Sequence, residues 1–137
     1  MNNFYIARNK KNNLLRMFTQ IPTKHDKIGT FECNNNWHMP HLDNRLFPEI
    51  SYDNSPQEVE IVIAENQNSE HEWWKNFYVA RNIDGTLKLY GCRIPTKFNG
   101  IFICYLDYTM PRIDSDMFPE ITYDNSPVRV EIKLKSK

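Results

Sequence analysis

One stretch of this chain returns almost unchanged. Leu46-Phe47-Pro48-Glu49-Ile50-Ser51-Tyr52-Asp53-Asn54-Ser55-Pro56 reappears as residues 117–127, differing only at Leu46/Met117 and Ser51/Thr122. Around it the rest of the sequence falls into two copies of one unit. Asn3-Phe4-Tyr5-Ile6-Ala7-Arg8-Asn9 matches Asn76-Phe77-Tyr78-Val79-Ala80-Arg81-Asn82, and Ile21-Pro22-Thr23-Lys24 recurs letter for letter at Ile94-Pro95-Thr96-Lys97. A duplication constrains the fold strongly, because a unit near 60 residues buries only about 60% of its unfolded surface and is marginal alone. Two copies sharing a core solve that problem, and two are fewer than an open solenoid usually needs.

Each copy reads as β structure. The opening aromatic and β-branched run predicts a strand, and Asp84-Gly85 after the second copy signals a tight hairpin. The first copy places Asn12-Asn13 there, and asparagine is the best non-glycine residue for positive φ. Leu14–Gln20 and Leu87–Arg93 are second strands, which the donor-less proline of the Ile-Pro-Thr-Lys tetrapeptide ends. Thr30–Cys33 and Ile101–Cys104 are third strands. The second copy is almost continuously apolar from Ile101 to Leu106, which predicts a strand covered on both faces. Asp43 and Asp114 open a short turn or helix that the following proline limits. Glu58–Ile63 and Arg129–Leu134 close the units. The expected fold is mainly β, α+β at most: two tandem β-β-β-(short helix/turn)-β repeats packed with pseudo-two-fold symmetry. The boundaries are 1–64, a linker at 65–75 and 76–137, together forming one compact domain. The linker's first part reads as a surface loop, and Trp73-Trp74 should pack on something.

Composition bounds the function. Seventeen basic residues balance seventeen acidic ones among 137, so the chain has no bulk attraction for nucleic acid or an anionic membrane. Three cysteines cannot all pair within one chain, which favours a reducing cytoplasm. The N-terminus lacks the pattern of a signal peptide, and no apolar run approaches the roughly 18 residues of a membrane span.

The Phe-Tyr-(Ile/Val)-Ala-Arg-Asn opening and the Phe-Pro-Glu-Ile-x-Tyr-Asp-Asn-Ser-Pro segment together resemble small uncharacterised single- or tandem-unit proteins of gut bacteria and their phages. The resemblance covers both copies. It implies a setting, a mobile or phage-borne accessory gene of the kind that encodes host-interaction proteins, and no activity or functional residue.

The candidate chemistry has a plain reading beside each functional one. Cys33, His38 and His41 are zinc-ligand types, but Thr109 and Arg112 replace the histidines in copy two and a fourth ligand is missing, so no metal or other cofactor is expected. Arg8 and Arg81 read as cross-strand ion pairs with Glu60 and Glu131, or as guanidinium groups offered to an anionic ligand. Thr23-Lys24 and Thr96-Lys97 could hold phosphate, although no P-loop pattern surrounds them and a solvated turn accounts for them. Asp43/Asp114 and Asp53/Asp124 read as turn caps before they read as acid–base pairs. Trp37, its counterpart Tyr108, and Trp73 and Trp74 are residue types that stock protein-binding hot spots. The first expectation is therefore a non-catalytic interaction protein with a protein partner, a phage-type accessory factor acting on a host defence protein. The second is a binder of a small anionic ligand, such as a nucleotide signal, through Arg8, Arg81, Thr23, Thr96, Lys24 and Lys97. An enzyme of unknown class comes third, and the sequence leaves the oligomeric state open.

Overall fold

A computed structural model describes residues 3–33, 41–91, 93–104 and 112–135. The fold is mainly β. Twelve strands are present among the described residues, with one short 3-10 turn at Trp73–Lys75 as the only helical element among them. The chain divides into two compact units, Asn3–Glu60 joined by the last residues from Lys133 onward, and a second unit whose main body is Ile61–Ile132.

In the first unit the strands are β1 (Phe4–Arg8), β2 (Leu15–Phe18), β3 (Thr23–His25), β4 (Thr30–Glu32), β5 (His41–Leu42) and β6 (Gln57–Ile63). The order β6-β1-β2-β5 forms antiparallel sheet, and β3 and β4 make a separate two-stranded sheet. Strand alternation divides β1 between two tasks. Phe4, Ile6 and Arg8 face one side, where Ile6 opposes Met17 and Arg8 opposes Leu15. Tyr5, Ala7 and Asn9 face the other, where Ala7 and Phe18 pack with Phe31 of the small hairpin.

The second unit repeats this arrangement. Its strands are β7 (Phe77–Arg81), β8 (Leu87–Gly91), β9 (Thr96–Phe98), β10 (Ile101–Ile103), β11 (Arg112–Ile113) and β12 (Val128–Leu134). Antiparallel pairing runs β11-β8-β7-β12, with β9 and β10 apart. Val79, Leu87, Leu89, Ile121 and Val130 are fully buried on the main face. Tyr78, Ala80 and Tyr90 bury Phe102 on the other.

Two local expectations change, and the short turn expected after Asp43 and Asp114 is present. β2 and β8 end at Phe18 and Gly91, four residues before Pro22 and Pro95, and Thr23 and Thr96 open new strands directly after the prolines, so the repeated tetrapeptide is the entry to a hairpin. The segments after Asp43 and Asp114 are turns: each aspartate carbonyl accepts from the amide three residues on, and its carboxylate from the amide two residues on. The linker is tied down by amide side chains. Gln67 exchanges hydrogen bonds with the Arg129 backbone as a strand residue would, and Asn76 does the same with the backbone of Glu70.

Candidate functional site

The repeated residues converge on one arginine in each unit. Arg8 is buried, and its five N–H donors meet five backbone carbonyls. Nε donates to Ile50 at 2.6 Å, Nη1 to Asn13 and Asn44, and Nη2 to Leu46 and Phe47. Arg81 does the same: Nε to Ile121 at 2.6 Å, Nη1 to Gly85 and Ser115, Nη2 to Met117 and Phe118. The Leu-Phe-Pro-Glu-Ile segment is the carbonyl-bearing wall of this cradle. Phe47 and Phe118 take φ values of 49° and 50°, unusual for non-glycine residues. Each directs its carbonyl to the arginine and also to the amide three residues on.

Serine completes the corner. Ser55 Oγ accepts the Arg8 amide and donates to Ser51 O, and Ser126 repeats both bonds with Arg81 and Thr122. The Ser55-Pro56 and Ser126-Pro127 peptides are cis. Asn54 and Asn125 close the turn by accepting from residues 51 and 122 and donating to Glu49 and Glu120. Burial holds the Arg8 pKa below its ordinary value. The predicted partner Glu60 is exposed, and Glu131 lies 3.9 Å from Arg129. Carbonyl dipoles surround these guanidinium groups in place of carboxylates, and each arginine has every donor engaged.

The lysines are also occupied. Lys24 Nζ stands 4.6 Å from the Tyr52 ring centroid, and Lys97 Nζ 4.2 Å from that of Tyr123. Each is a cation–π contact, and each tyrosine packs in turn on the buried phenylalanine of its hairpin. In the first unit Tyr52 also donates to Asp26 at 2.7 Å; burial and this bond push its pKa up to about 12. Asn9 and Asn82, which sequence reasoning did not single out, anchor the hairpins by accepting the amides of Phe31 and Phe102. Thr23 and Thr96 are exposed on the outer face of the hairpins.

That outer face is where the units part. In β3–β4 it carries Thr23, His25, Thr30 and Glu32, with His25 3.6 Å from Glu32. In β9–β10 it carries Thr96, Phe98, Ile101 and Ile103. Phe98 is 56% exposed, Ile101 42% and Ile103 45%, so the strand expected to be covered on both faces is covered on one. The reason is that β10 belongs to a two-stranded sheet whose inner face alone, through Phe102, packs on its unit. Arg93, Ile94, Thr96, Ile103 and Cys104 line a shallow groove beside this face. At the tip, Asn99 and Gly100 both have positive φ, as a two-residue type I′ turn requires. A Cβ on Gly100 would meet Ile83 Cγ2 at 2.8 Å. The signal was in the sequence as a difference: Thr30-Phe31-Glu32 against Ile101-Phe102-Ile103.

Trp73 is 57% exposed, and Trp74 is half-buried with Lys75 Nζ 5.2 Å from its ring. Trp37, Tyr108 and His38 lie outside the described residues. No cluster of three metal-ligating side chains occurs among the described residues. Among them, no helix is long and apolar enough to cross a membrane. No family model, curated protein or solved structure matches the chain.

Proposed function

We propose that the chain is a non-catalytic interaction protein, an accessory factor of the phage type that binds and modulates a host protein, with defence proteins the natural class of target. The observation that supports this reading is the apolar outer face of β9–β10. Phe98, Ile101 and Ile103 stand exposed at positions where the other unit carries His25, Thr30 and Glu32. Contiguous exposed apolar surface of this kind commonly marks a binding site. The resemblance to small proteins of gut bacteria and their phages supplies the setting, and a cytoplasmic location fits it.

Capture from a host lysate with the intact chain and with a Phe98→His/Ile103→Glu variant tests the proposal. A partner retained by the first and lost by the second is the expected result. Equal recovery by both would overturn it. Sequestration of a nucleotide signal is less well supported, because Arg8 and Arg81 have their donors on carbonyls and Lys24 and Lys97 sit on aromatic rings. Saturable nucleotide binding in a calorimetric screen would reverse that order of preference.

A further inference from the structure

The backbone of β9 adds to what its side chains present. Phe102 pairs with Lys97 across the hairpin, yet its amide donates to Asn82 Oδ1 and its carbonyl accepts from the Tyr90 hydroxyl, each at 2.9 Å. Lys97 and Phe102 are therefore a non-hydrogen-bonded pair of the antiparallel ladder. The Lys97 amide and carbonyl point away from β10, and they meet no partner among the described residues. The edge of β10 is closed by Asn82 and Tyr90, while no described strand pairs with the other edge of β9. An open strand edge beside an apolar face is a template for another strand.

Charge and size narrow what fits. Arg93 lines the groove at this face, and among the described residues it forms no ion pair and no carboxylate lines the groove with it. The Lys97 ammonium stands over the Phe102 and Tyr123 rings on the opposite side of the hairpin. A second copy docking face to face would bring the Arg93 guanidinium groups together, which disfavours self-association. The exposed parts of Phe98, Ile101 and Ile103 amount to a few hundred Å², short of the roughly 800 Å² that each partner buries in a standard interface. A single strand suits that area better than a broad globular surface does, and main-chain hydrogen bonds would supply the remaining affinity.

We propose that the β9 edge accepts an extended segment of a partner protein, alternating apolar and acidic residues. Its apolar side chains extend the Phe98–Ile101–Ile103 face and its carboxylates meet Arg93. The inference rests on the interaction reading above and specifies its partner. On β3–β4 the apolar side chains of such a segment would meet His25 and Glu32 in place of Phe98 and Ile103.

The test titrates the isotope-labelled full chain with a capped peptide of alternating valine and glutamate, one strand long. The expected result is saturable shifts of the Lys97 and Phe98 amides, with none at Lys24. Binding should weaken by roughly tenfold when lysine replaces glutamate in the peptide or Ala replaces Arg93. It should vanish when the peptide amides facing β9 are methylated, a control that leaves the protein's own folding untouched. Absence of shifts, equal binding of the lysine peptide, or equal shifts at Lys24 would overturn the inference. Concentration-dependent dimerisation through this face would overturn it as well. A lysate partner that needs Phe98 and Ile103 but is not displaced by the peptide would leave the interaction reading standing and sink the strand-pairing one.

Discussion

The hairpins β3–β4 and β9–β10 are built on the same attachments and turn different faces to solvent. Each is entered through Ile-Pro-Thr-Lys, docked by an asparagine on its central amide, and clamped by a lysine over a tyrosine. Their outer faces share only a threonine. The residues that attach each hairpin to its unit repeat, and the differences between the hairpins fall on their outer faces and turns. The loops differ in the same sense. The first hairpin turns through Asp26–Gly29, with His25 O accepting the Ile28 and Gly29 amides, whereas the second turns through Asn99 and Gly100 alone. The shorter turn removes any counterpart of Asp26, so Tyr52 has a carboxylate partner that the second unit's turn has no residue to supply.

The largest effect should come from the arginine cradles. Arg8→Met or Arg81→Met takes the arginine donor from five carbonyls, of which that of Phe47 or Phe118 keeps a backbone amide, and we expect a loss of about 3 kcal/mol or more in denaturant unfolding. Arg8→Lys should recover little, because an ammonium has three donors and no planar fork. If either Met variant unfolds like the parent chain, the repeated arginine is no keystone. Next, Asn82→Ala removes the acceptor for the Phe102 amide and should cost about 1 kcal/mol, with faster hydrogen exchange confined to β9–β10. Global acceleration of exchange would mean that the hairpin is not a separable attachment. Lys97→Met and Lys24→Met should each cost about 0.5–1 kcal/mol through the lost ring contact. A marked inequality between the two would break the equivalence of the hairpin clamps.

Alkaline pH distinguishes the units more finely. The folded-state pKa of Tyr52, at about 12, lies above the ordinary tyrosine value of 10.0. Between those values the unfolded chain has released a proton that the folded chain keeps, so stability is full below pH 10 and falls as pH rises towards 12. Asp26→Asn should lower the Tyr52 pKa only in part, because burial is the larger cause. Ultraviolet titration of that variant, compared with Tyr52→Phe, measures it; an unchanged high-pH titration would remove Asp26 from the account.

Much of this scaffold was legible in the sequence. The aromatic and β-branched content of the opening strand predicted β structure, and Gly85 and Asn13 take the positive φ that the Asp-Gly turn signal and its asparagine substitute suggested. The Phe-Pro-Glu-Ile-x-Tyr-Asp-Asn-Ser-Pro stretch was readable as a corner, but its purpose was not. Backbone carbonyls carry no side-chain signature, so nothing in the letters Leu46-Phe47 announces that they face Arg8. For the same reason Glu60 and Glu131, being charged, drew the sequence reading towards ion pairs. The apolar run from Ile101 was visible, yet burial depends on what covers a strand, and a separate two-stranded sheet packs on one side only. The asparagines escaped notice because an amide accepting one long-range backbone hydrogen bond has no local periodicity.

The most direct test replaces the outer face of β9–β10 with that of β3–β4: Phe98→His, Ile101→Thr and Ile103→Glu together, followed by denaturant unfolding of the full chain. A face that exists to meet a partner contributes little to folding, so the predicted stability change lies within about 0.5 kcal/mol of zero. A loss of about 3 kcal/mol or more, of the size expected for deleting core side chains, would show that this face is part of the scaffold. In that event the contrast between the hairpins would carry no functional meaning.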